Sequence, residues 1–222
     1  LQIYIEFNDR YEQAGTYHQL GTVAQAQRQW EQAEAYYQQA LQIYIEFNDR
    51  YEQAGTYHQL GTVAQEQRQW EQAERHFKQA LQIYIEFNDR YSQAGTYHQL
   101  GRVAQEQHQW EQAEAYYQQA LQLFAEFNDR YNQASAYHWL GIVAQEQCQW
   151  QRAREYLLTA LQLCHECQGA HSRAITLRSL ARLQRDSGDP SIAEAVAKIL
   201  GSPQPFAEVQ RQVAEEGNPV AG

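Results

Sequence analysis

The chain has 222 residues, a formal net charge of -10, and is 43% hydrophobic and 13% aromatic. That acidic balance argues against non-specific nucleic-acid binding, which needs a basic surface; no apolar run approaches a membrane span, and no signal peptide opens the chain. Its three cysteines fall late and unevenly, which is no disulfide framework and points to a reducing, cytoplasmic setting.

Residues 1–8, Leu1 to Asn8, match Leu41 to Asn48, and are expected to be the C-terminal part of a truncated repeat helix. With no methionine and a start in mid-pattern, the chain is expected to be a piece of a longer protein. From residue 9 a forty-residue period takes over: Trp30, Trp70, Trp110 and Trp150 mark it. A fixed period of this length means stacked units, each burying its apolar face only against its neighbours. The division expected is four tandem forty-residue units over 9–168, a degenerate fifth over 169–201, and a capping helix with a frayed tail over 202–222.

Within a unit, Asp9 is expected to cap a first helix running roughly from Arg10 to Gln27. Glu12 completes a capping-box-like pair, repeated as Asp49 and Glu52; in the next two units the partner becomes Ser92 and Asn132. Tyr17, Leu20, Gly21 and Ala24 share a face of that helix. Ala33, Tyr37, Ala40, Leu41 and Tyr44 share a face of a second, from Trp30 to about Phe47. Gly21 costs a helix interior about 1 kcal/mol relative to alanine. Its return as Gly61, Gly101 and Gly141 predicts a close helix approach there. The Trp30, Tyr44 and Phe47 series read as core. The unit is an antiparallel helix pair.

The fifth unit keeps Leu177, Leu180, Ala181, Ala193 and Ala197 in register but loses the caps and aromatics. Gly188-Asp189-Pro190 predicts a turn and a helix start with Asp189 as N-cap and Pro190 in the first position. Gly201 predicts a stop. Phe206, Val209 and Val213 mark one face of a last helix over 206–216, and residues 217–222 a tail.

The series Tyr17, Leu20, Gly21, Ala24, Ala33, Tyr37, Ala40 resembles the tetratricopeptide repeat signature. The common form has 34 residues; this one is similar to the longer, forty-residue form of kinesin light chains, and to the near-identical arrays toward the C-terminus of large bacterial signal-transduction NTPases. The resemblance covers residues 1 to about 200. Two features depart from it: the turn between helices is Arg28-Gln29 rather than Gly-Asp/Asn, and the proline after the second helix is absent. The resemblance implies an all-α, right-handed tetratricopeptide superhelix, an α-solenoid of antiparallel helix hairpins whose first helices line a concave groove. It also implies a non-catalytic scaffold that binds a protein or peptide ligand, with no cofactor, nucleic acid or membrane partner. The clamp of lysine, arginine and asparagine that grips a C-terminal carboxylate in some members has no match here.

On the implied groove face stand His18, Thr22, Gln25, His58, Thr62, Gln65, His98, Arg102, Gln105, His138, Trp139 and Gln145. The histidines each follow the packing tyrosine and are expected to point away from the partner helix. Protonation near pH 6 would make the groove cationic. Neighbouring helices lie about 8–10 Å apart, too far for adjacent histidines to share a zinc at about 2.0 Å each. Tandem duplication would copy such a row whether or not it binds anything. Trp139 replaces a glutamine and reads either as a binding anchor or as local packing beside Ile142.

Catalytic motifs are lacking: there is no phosphate-binding glycine loop, no Gly-x-Ser-x-Gly and no His-Glu-x-x-His. Cys164-His165-Glu166-Cys167, with His171 behind, could hold zinc or cycle as a dithiol. Cys164 and Cys167, however, align with Tyr44 and Phe47, so the plainer reading is a buried thiol in a tapering repeat. Two other functions fit the same fold: a ligand-sensing array of a larger bacterial signalling NTPase, or a structural solenoid that self-associates end to end through the apolar end at Leu1 to Phe7.

Overall fold

The structure, a computed structural model, describes residues 2–216. Among them are eleven helices and no strand: α1 (Gln2–Ala26), α2 (Trp30–Glu46), α3 (Arg50–Glu66), α4 (Trp70–Glu86), α5 (Arg90–Glu106), α6 (Trp110–Glu126), α7 (Arg130–Glu146), α8 (Trp150–Glu166), α9 (Ala170–Ser187), α10 (Ser191–Leu200) and α11 (Gln204–Glu216). The expected tail over 217–222 lies outside the described residues, as do the side chains of the apolar end expected at Leu1 to Phe7. The helices form two compact units, one through Gln109 and one from Trp110. Unit 1 packs α1 on α2, α2 on α3, α3 on α4 and α4 on α5. Unit 2 packs α6 on α7, α7 on α8 and α8 on α9, with α10 and α11 closing its end.

Each chain reversal is a two-residue device. Asn48 takes the left-handed conformation at φ 54°, and Asp49 N–H then reaches back to the Tyr44 carbonyl at 2.8 Å, the bond pattern that closes a helix end. Asp49 Oδ1 in turn accepts from Glu52 N–H at 3.1 Å and opens α3. Asp89 and Asp129 do the same for Ser92 and Asn132, both at 3.0 Å. Within a hairpin the left-handed residue is Arg28, Arg68 or Cys148, and Gln29, Gln69 and Gln149 give no side-chain cap. Asp9 departs from expectation: it lies inside α1, which runs unbroken from Gln2. The later reversals are also tied from other elements, Asp49 by the Tyr11 phenol and the Tyr44 carbonyl by Gln53; the local pair at residues 8–9 does not by itself break the helix.

The recurring glycines are contact points. A Cβ on Gly21 would stand 2.7 Å from a Tyr37 ring carbon, one on Gly61 2.7 Å from Phe77, and one on Gly141 2.6 Å from Leu157. The ring or leucine of the second helix lies flat on the first helix there, and Tyr37, Phe77 and Leu157 are fully buried. The helix ends, expected as core throughout, are only partly so. Tyr44, Tyr84 and Phe124 are buried, but Phe87, Phe127 and Trp150 are exposed, at 51%, 49% and 37%. Each Phe of that series sits one residue past its helix, on the outer edge of the reversal.

Polar ties cross between successive hairpins. Tyr11 and Tyr51 donate their phenols to Asp49 and Asp89 Oδ2, both at 2.7 Å. Buried Gln53 and Gln93 donate to the Tyr44 and Tyr84 carbonyls at 3.0 Å. Arg10–Glu46, Arg50–Glu86 and Arg130–Glu166 close the open ends of hairpins at 2.8–2.9 Å; exposed as they are, such pairs contribute at most about 1 kcal/mol each.

Unit 2 ends on a cluster of Leu157, Leu161, Leu180, Leu183, Ile192, Val196, Phe206 and Val213. Gly188 and Gly201, at φ 70° and 71°, stop α9 and α10. Asp189 Oδ1 accepts from Ser191 N–H at 2.9 Å, but Pro190, expected as the first helical residue, is itself the N-cap residue of α10.

Candidate interaction site

The candidate side chains divide between the two units. In unit 1, α1 carries His18, Thr22 and Gln25; α3 carries His58, Thr62 and Gln65; α5 carries His98, Arg102 and Gln105. In unit 2, α7 carries His138, Trp139 and Gln145. On α1, α3 and α5 their three- and four-residue spacings keep them near one face; on α7, Trp139 follows His138 directly and Gln145 lies seven residues after His138.

The histidines are not free in a groove. His18 Nδ1 lies 3.3 Å from Thr56 Oγ1, His58 Nδ1 3.1 Å from Thr96 Oγ1, and His138 Nδ1 3.4 Å from Thr176 Oγ1. Each threonine already donates its only hydroxyl proton to the carbonyl four residues back, at 2.9, 2.8 and 2.9 Å. Its oxygen is therefore the acceptor, and the imidazole donates from Nδ1, as a neutral ring can. His18 and His58 also meet Tyr37 and Phe77 edge to face, with centroids 5.2 and 5.3 Å apart. The rings are inter-hairpin ties as much as surface groups.

That setting reverses the expected titration. Burial pushes His58 and His138 down to about 4. Burial, with the Arg102 charge adding to it, brings His98 to about 4. His18 is also lowered by burial, with Glu52 opposing. A cationic row near pH 6 does not arise, because the charged form would lose its hydration between packed helices.

The remaining groups are pinned in various ways. Gln25 Oε1 accepts from the buried Tyr37 hydroxyl at 2.8 Å. Thr22 and Thr62 donate to the His18 and His58 carbonyls, both at 3.1 Å; Thr22 is exposed and Thr62 half-buried. Gln65 is buried and, with its Oε1 turned to the guanidinium, accepts from Arg102 at 3.1 and 3.2 Å. Arg102 also donates to Gln99 Oε1 at 3.3 Å. Gln105 is half-buried. In unit 2, Gln145 Nε2 donates to Asp186 Oδ2 at 3.1 Å. The half-buried Trp139 ring stacks over Tyr117, centroids 6.4 Å apart and planes 13° apart, and meets His138 edge-on at 5.4 Å.

The threonines on the following first helix were missed in the sequence. Their signal was present: Thr56, Thr96 and Thr176 recur 38 residues after His18, His58 and His138. Among the described residues, no group of three or more His, Cys, Asp or Glu side chains is placed to hold a metal ion. Cys164 is buried and Cys167 exposed; burial raises the Cys164 thiol. No described helix is long and apolar enough to cross a membrane.

The tetratricopeptide repeat family model matches residues 12–86, 52–126 and 132–198, most of the chain. The chain belongs to the tetratricopeptide repeat family. Solved structures share its fold at low identity. The near-identical repeats of a putative kinesin light chain from Podosopora anserina are 20% identical with a TM-score of 0.69, over 91% of this chain and 95% of that one. A STAND signal-transduction ATPase with a tetratricopeptide repeat sensor, from Pyrococcus horikoshii, is 14% identical with a TM-score of 0.73, over 93% of this chain and 36% of that one. A Rap protein complexed with competence and sporulation factor is 18% identical with a TM-score of 0.67, over 86% of this chain and 55% of that one. Among curated proteins, none matches the sequence. The long-repeat resemblance read from the signature residues is thereby borne out, as is the all-α class.

Proposed function

We propose that the chain is a non-catalytic interaction scaffold that binds a peptide or partner protein through its first helices. The carrying observation is where near-identical repeats stop being identical. The threonine of α1 and α3 becomes Arg102 on α5, and the glutamine of the earlier first helices becomes Trp139 on α7. Both replacements are half-buried and held by neighbours, Arg102 by Gln99 and Gln65 and Trp139 by Tyr117 and His138. Arginine and tryptophan are the residues that most often dominate binding energy, and holding them in advance lowers the ordering cost of association. A Rap protein of the same fold, solved with a bound factor, supports the reading.

Selection from a displayed random-peptide library, followed by calorimetric titration of a selected peptide, tests it. Arg102→Ala is expected to weaken binding of a peptide held by unit 1, and Trp139→Ala of one held by unit 2, each about tenfold or more, the range of an interface anchor. Gln118→Ala, on an exposed second-helix position, should leave it unchanged. A library that yields no binder, or a peptide lost only in the Gln118 variant, would count against the proposal.

A further inference from the structure

Unit 2 contains a cavity of about 260 Å³ between α7, α8 and α9, with Cys164 in its wall. Its origin can be read from the repeat itself. Position 164 holds Tyr44, Tyr84 and Phe124 in the three preceding units, and all three rings are buried. Tyr84 shows what surrounds such a ring. Tyr51 meets it edge to face at 6.2 Å, Ala54 packs against it, and Ser92 acts on its hydroxyl against the burial that raises that group to about 12. Eighty residues on, the equivalents Tyr131, Ala134 and Ser172 all line the cavity. The ring has been deleted and its neighbours kept. A cavity of about 150 Å³ with apolar walls is enough to bind benzene, so this one has room for a substituted ring.

We propose that the cavity is a binding site for a single phenol ring, with Ser172 as partner of the phenolic hydroxyl and Tyr131 and Ala134 packing on the ring. Tyr131 and Ile175, both exposed, form part of its lining and give it an open rim. The ligand takes the place of the aromatic side chain that the first three units supply from within. The cavity shares His138 and Trp139 with the first-helix row, but the inference does not rest on a partner engaging that row, since it is argued from the missing ring at position 164.

The test is titration of the parent with para-cresol and with toluene, by calorimetry or ligand-observed NMR. Para-cresol is expected to bind saturably, and Cys164→Tyr, which restores the repeat's own ring, to lose that binding at least about tenfold while melting at a higher temperature. Ser172→Ala should keep toluene binding and cut the advantage of para-cresol over toluene by roughly fivefold, the worth of one hydrogen bond. A second measurement uses the parent alone: para-cresol should slow alkylation of Cys164, read peptide by peptide, and leave the exposed Cys148 and Cys167 unaffected. The proposal is overturned if para-cresol shows no saturable binding up to about 10 mM. It is equally overturned by parent affinity in a folded Cys164→Tyr variant, or by an unchanged Cys164 alkylation rate.

Discussion

Acidification should loosen this protein through its histidines before most carboxylates titrate. His58, His98 and His138 are held neutral near a pKa of about 4, against about 6.5 for an unfolded imidazole. A base whose folded pKa is depressed is protonated more readily in the unfolded chain, so stability is full above the unfolded value and falls as pH drops through the window between the two. At pH 5 the unfolded histidine is almost wholly charged and the folded one almost wholly neutral, which costs about 2 kcal/mol per ring, or about 6 kcal/mol for the three. That is a large part of the 5–15 kcal/mol that is roughly typical of domain stability. Urea unfolding followed by far-UV circular dichroism at pH 7.5 and pH 5 would measure it, fitted with a nearest-neighbour scheme because repeat arrays unfold unit by unit. A variant carrying His58→Gln, His98→Gln and His138→Gln should be less stable at neutral pH yet lose most of the pH dependence in this window. Equal loss in parent and variant between pH 7.5 and 5, or imidazole titration near 6.5 by NMR, would refute the reasoning.

Three further outcomes follow from the packing. Gly61→Ala places a methyl 2.7 Å from the Phe77 ring, and overpacking should outweigh the gain in helix propensity for a net loss of about 1–3 kcal/mol in urea unfolding. Arg68→Gly relieves a left-handed residue at φ 59° and should stabilise by up to about 1 kcal/mol, whereas Asn88→Gly, at φ 53°, should gain less because asparagine tolerates that region. Tyr51→Phe removes the phenol that donates to Asp89 at 2.7 Å and should cost about 1 kcal/mol in a thermal or urea melt.

Much of the fold was legible because the repeat states each rule several times. The recurrence of Gly21 as Gly61 and Gly141 predicted a close approach, and the contact with Tyr37, Phe77 and Leu157 supplies its cause. Asp49 declared its cap through the residue type and a partner three positions on. Asp9 carries the same local signal, yet the helix runs through it, so a capping residue type alone does not dictate a reversal. The Phe47 series misled for a related reason: periodicity locates a helix face but not the point where a reversal lifts a side chain to the edge. The candidate site was legible as a row and not as a set of contacts. The His–Thr ties join residues 38 positions apart on different helices, a relation that helical spacing within one element does not encode. The cavity beside Cys164 was visible as a broken series, but its volume depended on whether the neighbours closed over the missing ring.

The most direct test of the central claim, that partners are held by the first helices, is a proton–nitrogen NMR titration of a selected peptide that watches the five tryptophan indoles. Trp139 lies on a first helix, Trp30, Trp70, Trp110 and Trp150 at the starts of second helices. The scaffold reading predicts that the Trp139 indole shifts saturably with a peptide held by unit 2. Shifts confined to the four second-helix indoles would put the interaction elsewhere and contradict it.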